Sequence, residues 1–86
     1  MASAKILIVD NDKAVTRDLQ ERLTRLGYEV AGIAMTSDDA ITQTKKLKPN
    51  LVIMNTSLRS GRDGVKTGTL IHSTSHTPII YFSSQA

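Results

Sequence analysis

Lys5-Ile6-Leu7-Ile8-Val9-Asp10-Asn11-Asp12 is the stretch on which the fold class turns. Ile6, Leu7, Ile8 and Val9 are consecutive aliphatic residues, and all but Leu7 are β-branched. A half-exposed strand would alternate apolar with polar positions, so this run reads as a strand buried on both faces. It ends in polar residues that include two carboxylates, Asp10 and Asp12. Beyond them the period changes. Val15, Leu19, Leu23 and Leu26 recur at helical spacing, with Arg17, Gln20 and Arg25 between them, which predicts a helix over residues 13–26 with those four apolar side chains inward. Asn11 or Asp12 can cap its start, and Gly27 can end it in a left-handed conformation.

The same alternation continues along the chain. Residues 28–33 read as a second strand. Ser37 begins a second helix, with Asp38 and Asp39 in its first turn and Ala40, Ile41, Thr44 and Leu47 facing inward, until Pro49 and Asn50 stop it. Residues 51–54 form a third buried strand, and residues 55–64 a polar loop containing the turn signal Asp63-Gly64. Residues 65–73 predict a third, weaker helix. There Gly68 costs about 1 kcal/mol relative to alanine, and the Ser/Thr-rich stretch up to Thr77 favours turns and caps. Pro78 starts a fourth strand that runs to Phe82. Strands alternating with helices predict an α/β fold with a parallel sheet, right-handed crossovers and helices on both faces. The expected strand order is 2-1-3-4, the flavodoxin-like arrangement with its fifth strand and last helices missing.

Composition narrows the function classes. Eighty-six residues make one small domain, residues 1–86, with a marginal core. The absence of cysteine excludes disulfides and Cys-ligated metals. No apolar run approaches the ~20 residues of a membrane span. Polar residues from Asp10 onward interrupt the only N-terminal apolar stretch, which does not fit a secretory signal, so a cytoplasmic location is expected. A net charge of +3 invites a nucleic-acid reading. However, the positive residues are scattered, and the one cluster, Lys45, Lys46 and Lys48, falls at the end of the second predicted helix, where cations favour the helix dipole. Tyr28, Tyr81 and Phe82 are the only aromatics and offer no stacking platform. Nucleic-acid binding by this module alone is not expected.

Three predicted strands end alike: the first on Asp10-Asn11, the third on Asn55, and the fourth on Ser83-Ser84. In a parallel sheet these ends share one edge, the edge where open α/β sheets bind ligands. Alone, Asn11 reads as a cap, Asn55 as a turn residue and Ser83 as a solvated hydroxyl. Together they predict a site. His72 and His76 are four apart, but Ser73-Thr74-Ser75 argues against a continuous helix and no carboxylate neighbours them, so no metal is expected there. No Gly-x-Ser-x-Gly elbow, Walker loop or Gly-x-Gly-x-x-Gly turn occurs.

Several segments carry a family resemblance. Residues 5–12 are similar to the opening of the receiver domains of bacterial response regulators, in which an apolar strand ends in an acidic pair. Leu26-Gly27-Tyr28-Glu29-Val30 looks like that family's passage into its second strand. Lys48-Pro49-Asn50-Leu51-Val52-Ile53-Met54-Asn55 resembles the segment leading to the phosphoaccepting aspartate. Asp63-Gly64 matches the opening of helix 3, and Thr77-Pro78-Ile79-Ile80-Tyr81-Phe82-Ser83 resembles the fourth strand and its terminal hydroxyl residue.

The resemblance implies two-component (phosphorelay) signalling. In the family an acidic pair, the acceptor aspartate and a backbone carbonyl two residues beyond it hold Mg²⁺. The acceptor takes a phosphoryl group from a histidine kinase, and a Thr/Ser and a lysine then bind that group. A carboxylate is the nucleophile, while metal and lysine offset the negative charge. Carried across, Asp10 keeps one acidic position, Asn11 occupies the other, and Asn55 stands where the acceptor belongs. Ser83 preserves the hydroxyl, and Ser57 could present the carbonyl. Asp12 is better suited to capping, Lys66 lies in helix 3 and cannot replace the family's lysine, and residues 56–62 lack the usual proline and run one residue longer. Two lost carboxylates leave the pocket short of charge for a hard, hydrated dication. The resemblance therefore implies a vestigial phosphorylation pocket at Asp10, Asn11, Asn55 and Ser83, no catalytic residue, no enzymatic activity, and no cofactor beyond weak Mg²⁺ binding.

The expected function is that of a degenerate receiver module acting through protein contacts, with a histidine kinase or the parent protein's output domain as partner. One alternative is an authentic phosphoreceiver that has been shortened or carries Asn in place of Asp. A second is a flavodoxin-like domain that binds a small ligand at the Asp10/Asn55 edge. The fourth strand, apolar and uncharged, is an edge that natural proteins usually cover, which predicts self-association through it.

Overall fold

The computed structural model describes residues 3–56 and 63–83. Four strands, β1 (Lys5–Val9), β2 (Glu29–Ala34), β3 (Leu51–Asn55) and β4 (Ile79–Phe82), alternate with three helices, α1 (Lys13–Arg25), α2 (Ser37–Leu47) and α3 (Asp63–Ser75). The strands form one parallel sheet in the order β2-β1-β3-β4. The βαβαβαβ reading and the strand order therefore hold.

β1 lies inside the sheet and is its most deeply buried strand. Ile6, Leu7, Ile8 and Val9 are all buried, between β2 on one side and β3 on the other. Alternation then divides the strand between two faces. Leu7 and Val9 join Ala34, Val52 and Met54 of the sheet, Ala40 of α2 and Ile71 of α3 in a single cluster, with Ile41 and Ile79 packed against it. Ile6 and Ile8 point to the opposite face, which carries α1. Where β1 meets β2 the register shifts between Ile6 and Leu7, so Ile6 pairs with Val30 and Leu7 with Gly32, leaving Ala31 as the extra residue of a bulge.

Several boundaries differ from the sequence reading, each for a local reason. α1 ends at Arg25. Tyr28 N–H donates to the Leu23 carbonyl (3.0 Å) and Gly27 N–H to that of Thr24 (3.0 Å), closing the helix in a Schellman turn with Gly27 at φ 97°. Leu26, expected inward, sits in that turn and is 73% exposed. Val15, Leu19 and Leu23 are only half-buried, and the buried residue of α1 is Thr16, whose hydroxyl donates to the Lys13 carbonyl at 3.1 Å. The α2 cap is Thr36, accepting from Asp39 N–H at 3.1 Å. Its far end is Lys48 in the left-handed region (φ 49°) ahead of Pro49, while Asn50 ties β3 to Lys5.

α3 begins at Asp63 and runs two residues past Ser73, so Ser73, Thr74 and Ser75 are helical after all. Their competition with the backbone is resolved inside the helix. The hydroxyls of Thr69, Ser73 and Thr74 donate back to the carbonyls of Val65 and Leu70. His76, just beyond at φ 56°, caps it through its N–H to the His72 carbonyl at 2.8 Å.

Candidate functional site

The C-terminal ends of β1, β3 and β4 lie side by side. Val9 pairs with Met54 and Asn55 with Phe82, so Asp10 follows β1 beside Asn55, and Ser83 follows β4 at the same edge. Asn55 is the last residue of β3 and not the first of a loop. It is 3% exposed, and Asp10 has no exposed surface. Asn11 and Ser83 lie at the exposed rim. Ser57 and Ser84 fall outside the described residues, as does most of the loop at residues 56–62.

Asp10 is fixed from both ends. Its N–H donates to the Ala34 carbonyl at 3.0 Å, which holds its backbone in line with β2. One carboxylate oxygen, Oδ1, accepts from Asp12 N–H at 3.3 Å. The other, Oδ2, is buried without a hydrogen-bond partner. A buried carboxylate oxygen with nothing to accept from is costly, and it is the one such side-chain atom among the described residues. Asp12 caps α1: its Oδ1 accepts from Ala14 N–H at 2.9 Å and Val15 N–H at 3.4 Å.

β3 leads directly into the start of α3. Thr56 N–H donates to the Phe82 carbonyl at 2.9 Å, and Gly64 N–H to the Thr56 carbonyl at 3.2 Å. The backbones approach so closely that a Cβ on Gly64 would collide with the Asn55 carbonyl oxygen and come within 2.8 Å of Thr56 Cα. Glycine is required here by contact and not by torsion. Gly64 thus lets the first turn of α3 close onto the strand end that carries Asn55.

His72 and His76 lie with ring centroids 6.5 Å apart in an edge-to-face arrangement, and His72 Nδ1 is 3.2 Å from the Thr77 carbonyl. Among the described residues no group of three His, Cys, Asp or Glu side chains is placed to hold a metal ion.

A four-stranded 2-1-3-4 parallel sheet whose β1 ends in a buried aspartate beside the residue that closes β3 is the receiver arrangement. The model of the response regulator receiver domain matches residues 6–86. The chain belongs to this family. Receiver domains are signalling modules of two-component systems, and similar chains come from several of them. Chemotaxis protein CheY of Thermotoga maritima is 36% identical over 64 residues, covering 72% of this chain and 53% of that protein. The transcriptional regulatory protein PdtaR of Mycobacterium tuberculosis is 31% identical over 80 residues, covering 93% of this chain and 38% of the relative. Among solved structures, the signal receiver domain of a modulated diguanylate cyclase from Desulfovibrio desulfuricans superposes with a TM-score of 0.88 at 27% identity, over 95% of this chain and 66% of that one. This receiver chain therefore spans about half the length of the chemotaxis relative (53%) and about a third of the regulator (38%). No helix among the described residues is long and apolar enough to cross a membrane.

Proposed function

We propose that this receiver module works by protein contact and does not accept a phosphoryl group. The observation that carries the reading is Asn55, buried at the end of β3 beside Asp10, where the family places its acceptor aspartate. Phosphoryl transfer needs a nucleophile with an electron pair to donate, and the carboxylate supplies it as a full negative charge. The amide nitrogen of Asn55 has its lone pair delocalised into the carbonyl, and the amide oxygen carries no formal charge.

The donor set also fits Mg²⁺ poorly. That ion takes near-octahedral oxygen coordination and dehydrates reluctantly, so it usually keeps several waters and is held by one or two carboxylates together with phosphate oxygens. Here Asp10 is the one described carboxylate facing the edge, Asn11 and Asn55 are neutral, and Asp12 is committed to α1. The vestigial pocket is Asp10, Asn11, Asn55 and Ser83, and no cofactor is assigned to it.

Partners are proteins of the signalling pathway, a histidine kinase or an output domain of the parent protein. Relatives whose names mark them as a chemotaxis protein and a transcriptional regulator support that class. A second copy of the chain is a further partner. Among the described residues β4 is an edge strand without charge, with Ile80 52% exposed, and such an edge offers backbone groups to another strand. The test of the phosphate-independent reading is titration with beryllofluoride and Mg²⁺, followed by amide NMR. We expect no shift at Asp12, Thr56 or Gly64 beyond that of salt alone. Saturable shifts at those amides would refute the reading.

A further inference from the structure

We infer that the cleft between the C-terminal ends of α2 and α3 is a binding site for a phosphate monoester. It opens at the end of the sheet opposite Asp10 and Asn55, so it is independent of the vestigial pocket. Thr44, Lys45, Lys48 and Pro49 form one wall and Ser75 and Thr77 the other, around a volume of about 410 Å³. That size falls within the range of small-molecule sites. Every residue adjoining the cleft along the chain, 43–51 and 74–79, is described.

The way the two helices end builds the cleft. α1 closes on a left-handed glycine, Gly27, the usual solution. α2 and α3 close instead on Lys48 at φ 49° and His76 at φ 56°, the two non-glycine residues with positive φ among the described residues. A side chain in that region carries a backbone cost that glycine avoids. At position 48 the side chain adds a cation to the cleft. At position 76 the bend brings the Thr77 carbonyl to 3.2 Å from His72 Nδ1, which ties that wall to α3.

Charge selects the ligand. Lys45 and Lys48 line the cleft, Lys46 stands beside them in the last turn of α2, and all three are exposed. No acidic residue lines it. The acids of α2 and α3, Asp38, Asp39 and Asp63, sit at the opposite ends of those helices, and Glu29, which opens β2, stands across from Lys5. The one salt bridge among the described residues joins Arg22 to Asp18 on α1, so no carboxylate there is paired with these lysines. Each helix end contributes about half a negative charge, so the three lysines leave about two positive charges. A phosphate monoester, close to a dianion at neutral pH, matches that balance better than a carboxylate does. The Thr44 hydroxyl is committed to the Ala40 carbonyl at 2.7 Å, whereas Ser75 and Thr77 bring hydroxyls to the facing wall.

The test is amide NMR of the chain at about pH 7.5, titrated with ribose 5-phosphate and with capped phosphoserine. Ribose, acetate and NaCl at equal ionic strength are the controls. We expect saturable shifts at Lys48, His76 and Thr77 with at least one of the phosphate compounds, at a Kd on the order of 1 mM, and none at Asp12 or Gly64. Tighter binding of the sugar phosphate assigns a small metabolite, and tighter binding of phosphoserine a modified side chain. Lys45→Gln combined with Lys48→Gln should weaken binding at least about tenfold. Lys48→Gly should weaken it while raising the melting midpoint, because glycine relieves the left-handed cap. Affinity lost from a chain that is no less stable separates the charge from the folding. The absence of saturable shifts would overturn the inference, as would equal shifts with acetate or undiminished binding by the double variant. Shifts confined to Asp12, Thr56 and Gly64 would place the anion at the other end of the sheet and overturn it as well.

Discussion

At the scale of single residues, the site is organised by two positions whose roles are mechanical. Gly64 has no space for a side chain against the Asn55 carbonyl and Thr56, and both neighbours are backbone that cannot swing aside. Gly64→Ala is therefore expected to cost about 1–3 kcal/mol in urea denaturation, even though alanine is the better helix former. Asp12 satisfies two N–H groups at the start of α1. Its replacement by alanine should cost about 1 kcal/mol and lower the midpoint by about 4–8 °C. The sequence alone left Asn11 and Asp12 as alternative caps, and the structure gives the α1 cap to Asp12. The choice between them was not legible, because either side chain can accept from the first turn. It depends on Asp10 holding Asp12 N–H, a contact made only once β1 is in place.

At the scale of elements, the apolar pattern was enough to place β1, α2 and β3, where inward positions are satisfied by direct neighbours. It misled in α1. A helical stripe of Val15, Leu19, Leu23 and Leu26 predicts a buried face, yet none of the four is fully buried and Leu26 lies in the closing turn. Spacing identifies a face but not how far the sheet extends beneath it. α3 presents the opposite case, since its Ser, Thr and Gly content argued for a short helix and it spans Asp63–Ser75. Hydroxyl groups bonded to carbonyls within the helix remove one objection. Gly68 has a packing reason that no local pattern contains: a Cβ there would strike the hydroxyl of Tyr81 and approach its ring to 2.8 Å, while that hydroxyl donates to the Val65 carbonyl at 3.4 Å. Gly68→Ala should consequently be destabilising in the unsubstituted chain and stabilising, by up to about 1 kcal/mol, when Tyr81 is leucine. A double-mutant cycle by thermal melting checks this. Additive effects would mean that Tyr81 and Gly68 do not share the space described.

At the scale of the whole molecule, topology does what no residue does alone. The order β2-β1-β3-β4 brings Asp10, Asn55 and Ser83 to one edge from three separate stretches of chain, as expected from alternating periodicities taken together with the flavodoxin-like strand order. Among the described residues the same order leaves β4 with a strand partner on one side only. Self-association through that strand predicts a concentration-dependent rise in sedimentation coefficient, which Ile80→Lys should remove without unfolding the chain. A monomer at high concentration would argue against it. The central claim is chemical and concerns the residue that closes β3. The most direct test is intact-mass measurement after incubation with acetyl phosphate and Mg²⁺, on the unsubstituted chain and on Asn55→Asp with Asn11→Asp. The unsubstituted chain should gain no phosphoryl group, while the doubly substituted chain should gain one. A phosphoryl adduct on the unsubstituted chain, mapped to residue 55, would contradict the account.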